Sequence, residues 1–376
     1  MNTIQRSEAR TRVQQEMEQY PAVLLEGPRQ CGKTALARSL IEREPGRYFD
    51  LADPTCPLLT DYAGVTLRTL VGTVVVDNID RMPRLLEMIQ LLSARDPLPA
   101  RFLIISATAR EMLKAAPKTF KNMGRVSMGG FTLDETGPER WRDLMARGRL
   151  PRSYLAQSDA EAHEWRNFFM QEMLERDVPR LGARTPPMTL RRFWQMLAHC
   201  HGQPLNASEL ARAMDARQDT VRRYLDILAA MFLVRRMTPW TGDDIGKRLV
   251  KAPMIYVRDS GLLHTLLGLR AFEEIAAHPR LEYSWKGFAL EEALCRLGSD
   301  RDAYFYKTHA GASLDLFVIR GKKRIGFEFK FTDKPRTSKA MRAALDDLDL
   351  DCLYVVYPGT EQYALDDGIV AMPIGL

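Results

Sequence analysis

The run Gly27-Pro28-Arg29-Gln30-Cys31-Gly32-Lys33-Thr34 lies between an apolar stretch at 22–25 and a helical pattern that follows it. Two glycines let a backbone turn so that successive N–H groups face one anion, and a helix start adds positive potential there. The lysine reaches terminal phosphates and the threonine hydroxyl is a hard oxygen donor suited to magnesium. A strand before and a helix after form the context that separates a phosphate cradle from a chance match. The loop is therefore expected to hold ATP with Mg2+, with Cys31 as filler.

A second group sits in TVVVDNID at 73–80, an apolar strand whose terminal Asp77 is placed to hold the magnesium through water. Asn78 then occupies the position where nucleotide-hydrolysing proteins place a glutamate. An amide cannot take up a proton, and losing a general base costs about 10²- to 10⁴-fold in rate while metal and phosphate binding survive. The stretch thus reads as one that holds nucleotide more than one that burns it quickly. Asp80 would stand in as a base only if the backbone turned it back, because on a continuing strand it is opposite in phase to Asp77. The strand RFLIISA at 101–107 brings Ser106, with Thr108 just beyond, to where a polar group senses a terminal phosphate.

A third group lies near the far end. In GFEFKF, strand alternation places Glu328 and Lys330 on one face and Phe327, Phe329 and Phe331 on the other. Asp315, in the preceding strand, completes Asp-x(12)-Glu-x-Lys, a spacing that resembles the PD-(D/E)xK core of restriction-like nucleases. In such a core Asp315 and Glu328 would hold a divalent metal that polarises a scissile phosphate, and Lys330 would orient or activate the water. Glu291, on the helix before these strands, stands where many relatives keep an additional acid.

The elements that carry these groups read as α/β. Helical patterns at 35–43 and 83–94 flank the first strands and predict a layered sheet with one strand inserted between the phosphate-loop strand and the acid-tipped strand. In the middle, short and longer helices at 207–214 and 219–231 are joined by a tight polar connection. Leu210, Val221, Leu225 and Leu228 form one apolar face, and Ser208 and Asp219 are candidate helix starts. With FLVRRM as a following strand, this predicts a winged helix-turn-helix. Arg217, Gln218, Thr220, Arg222 and Arg223 lie where such a fold meets DNA, although the same fold also serves merely to join domains. The segment RGKKR at 320–324 is expected to be a hairpin, either touching phosphates or simply a soluble turn.

GPRQCGKT, RMPRLLEMI, MGRVSMGGFTLDE, RGRLPRSYL, ERDVPRL, the segment from Leu205 to Gly268 and FYKTHAGASLDLFVIRGKKRIGFEFK together resemble the AAA-type ATPases of bacteria and archaea that carry a carboxy-terminal DUF4143 region. The resemblance covers nearly the whole chain. It implies a P-loop AAA-like sheet domain at 1–150, a helical linker at 151–188, a winged-helix region at 189–280 and a restriction-endonuclease-like α/β domain at 281–376. Arg125 falls where the family could present an arginine to a neighbouring subunit's nucleotide, an ion-pair or surface helix-end role being equally open, and the AAA-like core implies a homo-oligomer. The chain departs from the family twice: the acid-tipped strand of relatives reads Asp-Glu-hydrophobic-Gln, and relatives often place a glutamate where Ser313 stands.

Composition sets bounds on partners. Lys and Arg total 54 against 48 Asp and Glu, a net +6 that permits DNA without demanding it. No apolar run approaches the roughly 20 residues that span a bilayer, and the polar start has no signal-peptide core, so a cytoplasmic protein with no membrane partner is expected. Five scattered cysteines without a CxxC pair indicate neither disulfide framework nor zinc module, and His199-Cys200-His201 reads as a polar helix end. The expected function is ATP binding that gates action on, or binding to, DNA. The alternative is a non-hydrolysing ATP-bound switch or scaffold for a protein partner, with an inactive nuclease-like domain.

Overall fold

The computed structural model describes residues 4–42, 46–108, 122–181, 185–242, 248–298 and 302–375. Two compact units divide it, the first running to Phe131 together with Ala230–Phe232, the second comprising Thr132–Ala229 and Leu233–Leu376.

Five parallel strands build the first unit: β1 (Ala22–Glu26), β2 (Gly46–Asp50), β3 (Gly72–Asp77), β4 (Ala100–Ser106) and β5 (Gly124–Ser127), in the spatial order β2-β3-β4-β1-β5. As expected from sequence, β4 separates β1 from β3. A parallel sheet is covered on both faces, so its central strands are apolar throughout rather than alternating. That holds here: every residue of β1 is buried, as is β3 from Val74 onward. Leu24, Val74, Val76, Phe102 and Ile104 pack with Leu86 and Ile89 in one core. The intervening Val23, Leu25, Val75, Leu103 and Ile105 are equally buried. Helices Ser7–Gln19, Lys33–Ile41 and Leu85–Ser93 accompany the sheet, the last two within two residues of the expected bounds.

The second unit is built on one nine-stranded sheet of mixed direction among the described residues. Helix Pro187–His199 leads into β6 (Gln203–Pro204), helices Ala207–Ala213 and Gln218–Ala230, then β7 (Val234–Pro239) and β8 (Met254–Val257). Strand β8 pairs antiparallel with both β7 and β6. Val221, Leu225, Leu228 and Leu210 are all buried, as their spacing requires. The shorter helix is capped not at Ser208 but two residues earlier, where the Asn206 side chain accepts from the Glu209 N–H at 3.2 Å.

Helix Leu281–Leu297 is followed by β9 (Ala303–Lys307), β10 (Ser313–Arg320), β11 (Lys323–Phe329), helix Lys339–Asp347, β12 (Cys352–Tyr357), β13 (Tyr363–Asp366) and β14 (Ile369–Pro373). Strands β9, β10 and β11 form an antiparallel meander with its turn at Gly321, and β12 joins β11 in parallel after the helical crossover. A two-residue parallel pairing, Thr238 with Tyr304 and Pro239 with Phe305, makes one sheet of β7 and β9.

Leu24 is central to the first core. Leu24→Ala should cost about 2–5 kcal/mol through lost burial and the cavity left behind. Urea denaturation of the two proteins side by side measures it; a loss below 1 kcal/mol would mean the sheet is not packed as described.

Candidate functional site

Strand β1 ends at Glu26 and the chain enters the glycine loop. Gly27 is required by a close approach: a Cβ on it would lie 1.9 Å from the Met128 carbonyl oxygen. Gln30 and Gly32 both take positive φ, 60° and 105°, which curls the loop before the helix begins at Lys33. The Lys33 ammonium is buried and donates to the carbonyls of Gly27 and Pro28 at 2.8 and 2.7 Å. Cys31 is buried and its thiol lies 3.3 Å from the Met128 carbonyl, consistent with a packing role. Arg29 is half-buried and Gln30 exposed.

Thr34, next to Lys33 at the start of its helix, and Asp77, at the end of β3, meet from separate segments. The Thr34 hydroxyl donates to Asp77 Oδ2 at 2.7 Å, and the Tyr48 hydroxyl donates to the same oxygen. Burial, then the Asp77 carboxylate, pushes the Tyr48 phenol above its ordinary range, so it remains a donor. A hydroxyl and a carboxylate within one hydrogen bond of each other suit Mg2+, and they lie beside the loop suited to the phosphates. The residues present fit this ion and nucleotide.

Past Asp77 the backbone departs from strand geometry. Asn78 adopts the left-handed conformation at φ 59°, its N–H donates to Asp77 Oδ1 at 2.7 Å and its side-chain amide donates to Asp50 Oδ1 at 2.8 Å. The short turn Ile79–Arg81 then brings the Asp80 carboxylate back to Ser106, whose hydroxyl donates to it at 3.3 Å. The Thr108 N–H donates in turn to the Ser106 oxygen. The phase argument that set Asp80 away from the strand tip does not hold, because period two ends at Asn78. Arg125, on β5, pairs with Glu26 Oε1 at 2.7 Å in its own sheet. Sequence reading missed Arg6, which donates to the carbonyls of Cys31, Gly129 and Gly130 and ties the loop to the turn after β5. It also missed Tyr48; neither residue belongs to a recognisable motif.

In the second unit Asp315 on β10 and Glu328 on β11 are brought together, but around a cation the sequence did not disclose. Lys286, from the Leu281–Leu297 helix, donates to both Asp315 oxygens at 2.7 and 2.9 Å and lies 3.6 Å from Glu328. Lys330 approaches Glu328 at 3.2 Å. Burial lowers the affinity of Lys286 for its proton, yet Asp315 and Glu328 outweigh it and hold the ammonium charged. Burial, followed by the Asp315 charge, pushes Glu328 up to about 7.

Glu291 does not join this pair. It faces Arg235 and Arg258 at 3.1 and 3.2 Å, and although burial opposes ionisation these guanidiniums bring it down to about 2. A divalent ion does not fit Asp315 and Glu328 as they stand, because the Lys286 ammonium fills the position between them. Gln218, Arg222 and Arg223 are exposed and Thr220 half-buried on the Gln218–Ala230 helix, with Arg217 exposed just ahead of it.

A phosphate loop at the C-terminal edge of a parallel sheet, with an inserted strand and an acid-tipped neighbour, defines an AAA-type P-loop ATPase domain. Three family matches tile the chain: an AAA domain at residues 19–136, a domain of unknown function (DUF8612) at 138–273 and another (DUF4143) at 283–376. Two uncharacterized proteins, Rv2008c of Mycobacterium tuberculosis and Mb2031c of Mycobacterium bovis, are each 39% identical over 371 residues, covering 98% of this chain and 84% of theirs. The chain belongs to their family, AAA-type ATPases with a carboxy-terminal DUF4143 domain.

Among solved structures it is similar to the Walker-type ATPase PABY2304 of Pyrococcus abyssi, at 14% identity and TM-score 0.47 over 71% of this chain and 96% of that one. It is also similar to the STAND-class signal-transduction ATPase PH0952 of Pyrococcus horikoshii, at 10% identity and TM-score 0.24 over 78% and 45%. No described helix is long and apolar enough to cross a membrane.

The raised Glu328 has a pH signature. Its folded value of about 7 lies above the ordinary 4.5, so the stability it contributes is fully present below about pH 4.5 and lost as pH rises through 7. Glu328→Gln should flatten that part of the stability profile; equal slopes for both proteins between pH 4.5 and 7.5 would contradict the assignment.

Proposed function

We propose that this chain binds MgATP in the first unit and that nucleotide state governs how the second unit holds DNA, which it grips without cutting. The observation that carries the first half is the Thr34–Asp77 hydrogen bond beside the buried Lys33. Lys33 and the loop N–H groups would take the phosphates, and Thr34 with Asp77 would hold the magnesium, which neutralises phosphate charge when bound. Ser106 would meet the terminal phosphate.

The DNA half rests on topology and charge. Helix, strand, two helices and two strands, with β8 between β6 and β7, is the order of a winged helix-turn-helix, and Arg222 and Arg223 are exposed on its second helix with Arg217 exposed just ahead of it. Helix, three antiparallel strands, helix and a parallel fourth strand is the order of a restriction-endonuclease-like core. Lys330, Lys334 and Arg336 line a hollow beside its Asp315–Glu328 pair. With Lys286 seated between the acids, this core offers phosphates a cationic surface rather than a metal.

Calorimetry should find ATP bound in Mg2+ buffer and Lys33→Ala weakened at least about 100-fold, since a buried cation-to-phosphate contact is lost. In a DNA titration against salt, the wild type should show the steep salt dependence of phosphate contacts, shallower by about two contacts in an Arg222→Ala/Arg223→Ala double variant. DNA incubated with Mg2+ or Mn2+ should remain intact. Absence of ATP affinity removes the first half of the reading; cutting that Asp315→Ala abolishes removes the second.

A further inference from the structure

We infer that Asp80 is the general base for ATP hydrolysis in this chain, taking the role that Asn78 cannot. The inference rests on the proposal that the glycine loop binds MgATP. In a parallel α/β sheet, ligands sit outside the carboxyl ends of the strands. Strand β4 lies between β3, which ends in Asp77, and β1, which feeds the phosphate loop, with Ser106 opposite Glu26 in the register. A carboxylate hydrogen-bonded to Ser106 is therefore at the edge between the magnesium acid and the phosphate loop. Asp80 is that carboxylate.

Other acids at this edge are already engaged. Asp77 accepts from Thr34, Tyr48 and the Asn78 N–H. Asp50 accepts from the Asn78 amide and the Ala52 N–H. Glu26 is buried in its ion pair with Arg125. Asp80 accepts from a neutral hydroxyl and is half-buried, within reach of water. The left-handed Asn78 is what makes the arrangement: its turn exchanges the acid at position 78 for one two residues later, and Asn tolerates that conformation better than most residues.

In the step assigned to it, the Asp80 carboxylate takes a proton from water as the water oxygen bonds to the γ-phosphorus. The bond from that phosphorus to the β–γ bridging oxygen breaks, its electron pair leaving on ADP. The products are ADP and inorganic phosphate, and the proton passes from Asp80 to solvent.

The experiment compares wild type with Asp80→Asn, measuring ATP affinity by calorimetry and phosphate release under saturating MgATP. The expected result is an affinity within about threefold of wild type and a kcat lower by about 10²- to 10⁴-fold, the loss of a general base. Wild-type turnover unaffected by Asp80→Asn, or no wild-type turnover despite bound ATP, overturns the inference while the nucleotide-binding proposal stands. Affinity lost in the variant alone overturns it too, by making Asp80 a binding group. No ATP bound by the wild type removes the underlying proposal itself.

Discussion

The hydrogen bond from Thr34 to Asp77 fixes the end of one strand against the start of a helix that follows another. Asp77 ends β3 and Thr34 opens the helix that the glycine loop joins to β1, so the packed parallel sheet sets the distance between them before any ligand enters. Placing a buried carboxylate and an exposed hydroxyl on rigid elements lets them act without reorganising. Tyr48 from β2 and Arg6 ahead of the first helix reinforce the same point from either side. The loop is thus tied at its beginning, by the approach of Gly27 to Met128, and near its end, by Arg6 on the Cys31 carbonyl.

The second unit applies electrostatics differently. Glu291 and Glu292 are buried acids on one helix, each met by arginine, with Arg149 at 3.1 Å from Glu292. Desolvating such groups is costly, and the partnerships offset the cost rather than adding net stability. Truncating Arg149 would therefore leave an uncompensated buried charge. Asp315, Glu328 and Lys286 follow the same rule, which explains how two acids tolerate burial on adjacent strands. Glu328 still rises to about 7 because burial and the Asp315 charge outweigh Lys286 and Lys330.

Much of this was legible in the sequence because the signals were local. The glycine loop, the apolar strands and the apolar face of Leu210, Val221, Leu225 and Leu228 depend on short-range spacing, and the structure keeps them. Asp80 would be out of phase with Asp77 on a continuing strand and reaches the edge only if the backbone turns back; the left-handed Asn78 supplies that turn, which strand period does not encode. Lys286 carried no signal, since nothing in WKGFALEE says that its ammonium will meet Asp315 some thirty residues on. Glu291 was assigned to the acid pair by its position on the helix, but its helical face turns it to Arg235 and Arg258 instead. Pairings between distant segments are set by tertiary packing, which periodicity does not encode.

The two departures from family pattern have a common physical sense. Position 78 carries an amide and position 313 a hydroxyl, where the resemblance leads one to expect acids. Losing an acid from a metal centre lowers its negative potential, and a lysine nearby then becomes a better counter-ion than a divalent cation needing several oxygen ligands. In the second unit Lys286 lies against both oxygens of Asp315. In the first unit Asp77 keeps its hydroxyl neighbours and no lysine reaches it among the described bonds, while Lys33 stays with the loop carbonyls. A hydroxyl and a carboxylate thus stay paired in the first unit, whereas an ammonium lies between the two acids of the second. What differs is whether a cation on a neighbouring element is long enough, and aimed well enough, to reach the acid first.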